Sequence, residues 1–323
     1  MTAIVVAGDI LVDVLVRIDA PLAIESDTPA RTTLGGGGSA ANVASWLAAT
    51  GQDVTFVGGV GDDALGRGQE AELRALGVGT RMRIDANRPT GTCVVIVTAD
   101  GRRTMFPDPG AGDLDPEDLP ADAFRPGAHL HLSGYWLLRE RSREAGLLAL
   151  EMARAAGMTI SVDASSAAPL AAAGPAAFLR WIAGVDLLFA NQAEAKVLTG
   201  QRDPVAAGRR LSASVGRAVV LKLGAAGALR VDRTGAVEQV PAEVTDIVDT
   251  TGAGDAFDAG FLAARLSGSS PVEALAAGVR LAARAVSMVG ARPSAGRPRG
   301  PARGDPGGPR PQLPSVARTP ARR

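Results

Sequence analysis

What most limits the fold of this chain is an alternation of short β-branched runs with longer Ala- and Leu-rich segments of helical period. These strand candidates lie at 4–7, 54–57, 130–132, 159–162, 187–189, 219–222 and 229–231, and several read apolar throughout, as strands covered on both faces do. Between them, apolar positions near 40–49, 69–76, 143–156, 206–215, 253–266 and 271–289 recur at helical spacing. This pattern predicts an α/β fold, a doubly wound layer around a largely parallel sheet. Such sheets bind ligands at the carboxyl ends of their strands.

Two segments, 10–34 and 90–107, break the rhythm with short alternating strands and no long helix between them. They are expected to pair as a small sheet that forms a lid over those carboxyl ends. The stretch 165–177, rich in Ala, Ser, Pro and Gly, reads as a surface connection.

Charge narrows the partners. Among 323 residues, 34 basic and 34 acidic side chains cancel, so no general attraction to nucleic acid or an anionic membrane is implied. The exception is 297–323, which holds seven Arg, seven Pro and one Asp, a net +6. That composition predicts a disordered tail following a folded unit over 1–296. Cys93 is the single cysteine, so no intrachain disulfide forms, and its apolar run suits a small buried hydrophobe. No apolar run approaches the ~20 residues of a membrane span. The N-terminal stretch, without a basic start and with Asp9 interrupting it, reads as a strand and not a signal peptide, which predicts a cytoplasmic location.

The string Asp249-Thr250-Thr251-Gly252-Ala253-Gly254-Asp255-Ala256-Phe257 precedes an apolar helix. Small residues at a helix start let backbone amides converge on an anion, such as a phosphoryl group in transfer. A carboxylate there repels phosphate unless it acts on a proton, so Asp255 reads as a general base. The simpler reading is an acid favouring the first turn of a helix. A second string, Gly35-Gly36-Gly37-Gly38-Ser39-Ala40-Ala41-Asn42, permits close backbone approach, and Asn42 can both donate and accept hydrogen bonds to a polyol. Asp13, just after the first strand, can accept two such bonds, and Asp9 reads as a turn residue.

Taken together, these strings make the chain resemble the ribokinase-like (PfkB-type) carbohydrate and nucleoside kinases. Positions 249–257 match the family's D-T-x-G-A-G-D-x-F signature, and Gly37, Gly38 and Asn42 match its G-G-x-x-x-N element. The resemblance implies that Asp255 is the catalytic base, that Gly252, Ala253 and Gly254 form the anion hole, and that Asp13, Gly37, Gly38 and Asn42 contact the sugar. Asn191-Gln192-Ala193-Glu194 matches the family's N-x-x-E element, which implies ATP phosphates near Asn191 and magnesium near Glu194, directly or through water. The same four residues also suit an ordinary helix cap. Segment 219–227 resembles the family's nucleotide-side strand and turn; Gly224 and Gly227 would admit ATP, and Lys222 either reaches its phosphates or ends a strand. Asp249, Thr251, Gly290 and Ser294 correspond to positions around a monovalent cation in ribokinase, which implies potassium. A homodimer joined through the lids is also implied.

No P-loop string surrounds either lysine, and no dinucleotide fingerprint follows the first strand. The resemblance therefore implies an ATP-dependent kinase that phosphorylates a sugar hydroxyl. A nucleoside kinase and a non-catalytic sugar or nucleotide sensor are the alternatives. Ser39 and Tyr135 stand where ribokinase proper has lysine and glutamate, which argues against strict ribose specificity. Arg102, Arg103 and Phe106 in the lid segment are candidate contacts for a sugar acid, a phosphate or a base, against the plainer reading of an exposed hairpin. Tyr135 and Trp136 are candidates for stacking on a ring, though aromatics beside a core strand more often pack.

Overall fold

Strands that are hydrophobic on both faces need cover on both, and the computed structural model provides it. It describes residues 2–99 and 102–293; Ser294 and the 297–323 segment lie outside the described residues. The first half runs β1 (Ile4–Ala7), β2 (Leu11–Ile18), β3 (Ala30–Gly37), α1 (Ser39–Ala49), β4 (Val54–Gly61), α2 (Ala64–Ala75), β5 (Gly79–Asp85), β6 (Thr90–Val97) and β7 (Arg103–Gly110). The chain continues through β8 (His129–Ser133), α3 (Tyr135–Leu138), α4 (Arg143–Ala155), β9 (Thr159–Asp163), α5 (Ala167–Ala173), α6 (Pro175–Trp181), β10 (Leu187–Asn191) and α7 (Gln192–Thr199). It closes with α8 (Pro204–Ser212), β11 (Ala218–Lys222), β12 (Ala228–Asp232), β13 (Val237–Val240), α9 (Ala253–Leu266) and α10 (Pro271–Val286).

The main sheet has the order β13-β12-β11-β10-β9-β8-β1-β4-β5, parallel from β11 through to β5, with β12 and β13 added antiparallel. From β1 the chain moves outward to β4 and β5, then returns to β8 on the other side. The switch point of this doubly wound sheet therefore lies between β1 and its neighbours, where a crevice opens at the carboxyl ends.

Alternate residues of β1 enter different cores. Ile4 and Val6 pack with Trp46, Phe189, Phe257 and Phe261 beneath α1 and α9, while Val5 and Ala7 join Leu130, Leu150, Phe178 and Leu221 on the opposite face. Phe189 and Phe261 meet edge to face at 5.4 Å, a contact worth about 0.5–1.5 kcal/mol beyond its burial.

Segments 10–34 and 90–107 do pair. They supply a four-stranded sheet of order β3-β2-β6-β7, with β2 and β6 parallel and both outer pairs antiparallel. Period two sorts its side chains. Asp13 lies opposite Cys93 and Gly35 on the same face as the small cluster of Leu11, Cys93 and Val95. Burial pushes the Cys93 thiol up to about 11, consistent with a small hydrophobe. The other face carries the registered row Leu34, Val14, Val94, Phe106, with Leu34 and Phe106 mostly exposed. Phe106 thus points away from Asp13.

Two sequence expectations differ from the structure here, and two strands appear that the apolar pattern does not predict. The 165–177 stretch is not a plain connection: α5 and α6 occupy most of it, because Leu170 and Phe178 insert fully into the core and Pro175 sits at a helix start that tolerates it. Edge strands β5 and β13 escaped notice because exposed polar residues interrupt them, as edges require. Trp136 is completely buried and packs in the core, so it is no ring-stacking contact.

Candidate active site

Asp255 stands in the first turn of α9, and the loop before it explains how. Gly252 precedes the helix at φ +74, and a Cβ there would lie 2.5 Å from the Ala291 carbonyl oxygen, so both conformation and space demand glycine. The first-turn amides over 253–255 lack helical acceptors, and Ala253 N–H makes only a 3.4 Å contact with Thr250 O. Phe257, two residues on, is buried and packs face to face against Phe261 at 6.5 Å, which fixes the rotation of the helix about its axis. The Asp255 carboxylate accepts from Ser39 Oγ and from Asn42 Nδ2, both at 2.8 Å. Desolvation pushes it up to about 7, against the opposing pull of those two donors and of Lys222. A carboxyl poised there suits general base work near neutral pH.

Asp9 is more than a turn residue. It is buried, and its two oxygens accept from Ser39 N–H and Ser133 Oγ–H, each at 2.8 Å. One side chain thereby joins the end of β1, the start of α1 and the end of β8 beneath the crevice. Asp13 rises from β2 against Gly37, where a Cβ would fall 2.1 Å from Asp13 Oδ1, so the backbone must be bare there. Burial pushes Asp13 up to about 7, with Arg292 pulling the other way. Gly38 is the residue from which α1 starts.

Arg292 was missed. Its guanidinium is almost fully enclosed, with the side chain 3% exposed. Nη2 donates to Gly37 O at 2.6 Å, Nε donates to Asn42 Oδ1 at 3.2 Å, and Nη1 lies 3.2 Å from Glu72 Oε2. Trp46 Nε1 donates to Ala291 O at 2.9 Å and holds the segment in place.

Toward β9, β10 and β11 the expected nucleotide contacts turn inward. Asn191 and Glu194 form a reciprocal cap: Glu194 N–H donates to Asn191 Oδ1 at 3.0 Å, while Asn191 N–H and Nδ2 donate back to the Glu194 carboxylate. Glu194 is buried, and desolvation together with the negative Asp163 pushes it up to about 7. Lys222 is not left free to reach phosphates. Its Nζ donates to Asp163 Oδ2 at 2.6 Å and to both Asp258 oxygens at 3.1 Å, 3.4 Å from where Gly254 would carry a Cβ. The two carboxylates raise the lysine, and the lysine holds Asp163 below the usual range, while burial drives Asp258 upward. Asp163 and Asp258 were legible after the fact: one acid ends an apolar strand, and the other interrupts the apolar face of α9. Gly224 opens an exposed turn, but Gly227 is buried against Val240 and Pro241, so its smallness serves the β11–β13 packing rather than ATP access.

Of the four positions linked to potassium, the structure gathers three. Asp249 Oδ1 accepts from Thr251 N–H and Oγ–H at 2.9 and 2.7 Å, and Oδ2 accepts from Gly290 N–H at 3.1 Å. Arg103, from β7 in the second sheet, donates to Thr251 Oγ1 at 2.7 Å and approaches Asp249 to 4.0 Å. Those donors hold the Asp249 carboxyl below its ordinary value. A carboxylate already supplied with donors and a guanidinium is a poor fit for a monovalent cation. Tyr135 lies half-buried at the mouth, under the Arg139 guanidinium at 5.4 Å, and burial raises its hydroxyl.

A carboxyl raised toward neutrality stands at helix-start amides and faces a polar cradle at the carboxyl ends of the parallel strands. The family model "pfkB family carbohydrate kinase" matches residues 1–296, and the chain belongs to that family. It is thus a phosphotransferase of the sugar and nucleoside kinase class. A fructokinase from Klebsiella pneumoniae is 35% identical over 266 residues, covering 80% of this chain and 82% of its own. The structure of an adenosine kinase from Sinorhizobium meliloti superposes with a TM-score of 0.83 at 28% identity, covering 91% and 96% of the two chains. An aminoimidazole riboside kinase from Salmonella enterica, solved with its riboside and an ATP analogue, gives 0.74 at 28% identity over 90% and 95%. These likenesses establish the ribokinase-like fold, a mostly parallel sheet with a separate small sheet.

Proposed function

We propose that this chain transfers the γ-phosphate of ATP to a hydroxyl of a sugar, with Asp255 as the general base. The observation that carries the reading is the Asp255 carboxylate, raised toward neutrality beside the first-turn amides of α9 and gripped by Ser39 and Asn42. In the transfer, the acceptor O–H gives its proton to Asp255 and its oxygen bonds the γ-phosphorus. The bond from that phosphorus to the β,γ-bridging oxygen breaks, and ADP leaves with the electron pair. Amides of Gly252, Ala253 and Gly254 receive the developing charge. Asp13 and Asn42 orient the acceptor, with Gly37 and Gly38 giving it room.

Magnesium bound with ATP would neutralise phosphate charge. Glu194 is a poor fit for holding it: the carboxyl is buried, both of its oxygens already accept from Asn191, and burial with Asp163 favours its uncharged form. Asn191 and the Gly224 turn border the nucleotide, and Lys222 braces the floor under Gly254. The sheet of β3, β2, β6 and β7 closes over the acceptor and limits ATP hydrolysis by water. Its outer row of Leu34, Val14, Val94 and Phe106 suits a second copy of this sheet, hence a homodimer. Among the described residues no helix is long and apolar enough to cross a membrane.

A nucleoside acceptor is the second reading, favoured by the half-buried Tyr135 at the mouth and by the adenosine kinase likeness. Measuring ADP release with fructose, ribose, sugar acids, adenosine and pseudouridine decides between them. Turnover confined to sugars supports the first reading, turnover confined to nucleosides replaces it with the second, and none with either overturns both.

A further inference from the structure

A buried guanidinium is costly unless each of its donors finds an acceptor, so its partners show what it is for. Arg292 donates to two separate elements, the Gly37 carbonyl at the end of β3 and the Asn42 side chain in α1, and its Nη1, which makes no hydrogen bond, forms an ion pair with Glu72 in α2. The bond to Asn42 matters most. A primary amide has one oxygen and one NH2, and which end faces which neighbour decides whether it donates or accepts. Arg292 has only donors, so the amide oxygen must face it, and the NH2 is thereby turned to Asp255 Oδ2 at 2.8 Å. The capacity to accept that the sequence reading gave Asn42 is committed to Arg292. Gly37, held by the same guanidinium, is the residue against which Asp13 packs.

We propose that Arg292 is a positioning residue of this active site: through Asn42 it fixes a hydrogen-bond donor on the base, and through Gly37 it fixes the backbone under Asp13. The inference rests on the reading of Asp255 as the base. Its consequence for specificity is that Asn42, with its oxygen turned to Arg292 and its NH2 toward the base, meets the acceptor chiefly as a donor. It would address a ring oxygen or a hydroxyl lone pair, while hydroxyl protons are taken by Asp13 and Asp255.

Other charged groups act on Asp255 too: Lys222 from β11, Asp163 from β9 and Tyr135 from α3. None of them contacts the Asn42 amide, so a change at Arg292 separates the relay from them. Losing Arg292 frees the amide to turn and removes a positive charge, and both effects raise the Asp255 pKa.

The test uses Arg292→Met, Arg292→Lys, Asn42→Ala, the double variant Arg292→Met/Asn42→Ala and, as a control, Glu72→Gln. Two readouts apply: the acidic limb of kcat against pH, and the titration of the Asp255 carboxyl by carbon NMR in the full chain, which needs no turnover. With Arg292→Met, the limb and the titration are expected to move to higher pH and kcat/KM for the acceptor to fall roughly 10–100-fold, as for a misplaced group. Arg292→Lys keeps the charge but cannot span both partners, and is expected to recover only part of the shift. Glu72→Gln leaves both readouts in place. In the Asn42→Ala background, Arg292→Met is expected to move the Asp255 titration by less than it does in the wild type, because only the loss of charge remains to act. An unmoved titration in Arg292→Met, or shifts that add fully in the double variant, overturns the relay. Wild-type protein that turns over no alcohol overturns the kinase reading instead, and the NMR titration still decides the relay.

Discussion

The two halves of the site are built by opposite means. On the acceptor side, side chains from β1, β2, α1, α9 and the segment after α10 reach across the chain to hold one another: Asp9 on Ser39, Ser39 and Asn42 on Asp255, Arg292 on Asn42. On the nucleotide side, the polar residues satisfy themselves beneath the surface, with Glu194 capped by Asn191 and Lys222 enclosed by Asp163 and Asp258. The first half presents preset side chains to its ligand; the second presents backbone on a stiff polar floor. A site that must choose among acceptors but hold one constant donor of phosphate is served by that division.

Changes that break one half and spare the other sharpen this contrast. The largest effect is expected at Asp255→Asn, which lowers turnover roughly 10²–10⁴-fold while leaving ATP affinity nearly unchanged, as steady-state rates and nucleotide titration would read. The same variant should be the more stable one at neutral pH. Because Asp255 is raised to about 7 when folded, the folded state binds its proton more tightly than the unfolded chain between about pH 4 and 7. Its contribution to stability therefore falls across that window, and the melting advantage of Asp255→Asn grows as pH rises to 8. Next comes Lys222→Met, which strands Asp163 and Asp258 in the core; denaturant melts should show a loss of about 3–5 kcal/mol. Gly37→Ala drives Asp13 off its backbone rest and is expected to raise the acceptor KM by roughly 10-fold while the ATP KM stays put. Smallest of all, deleting 297–323, whose composition gives it no part in either half, should leave rate and melting temperature unchanged.

The contrast also marks what was legible in the sequence. The parallel layer could be read because its strands are apolar on both faces and its helices keep their period. The acceptor motifs could be read because glycine strings beside Asp255 and Asn42 have few other uses. What a local reading misses is pairing at long range. Arg292 lies 250 residues from Asn42, and nothing in its neighbours announces that bond. Lys222 reads alike whether it points at a phosphate or at two buried acids, since only the fold brings Asp163 and Asp258 beside it. The α5–α6 hairpin was hidden because the Ser, Pro and Gly that bound its helices are also what loops are made of.

Whether Asp255 takes the acceptor's proton is tested most directly by the pH dependence of kcat in the wild-type enzyme and in Asp255→Asn with saturating ATP and acceptor. The account expects a wild-type rate that falls about tenfold per unit below roughly pH 7, and a slow variant whose rate no longer follows that ionisation. A variant that keeps the wild-type rate, or one that is slow yet keeps the same acidic limb, would contradict it.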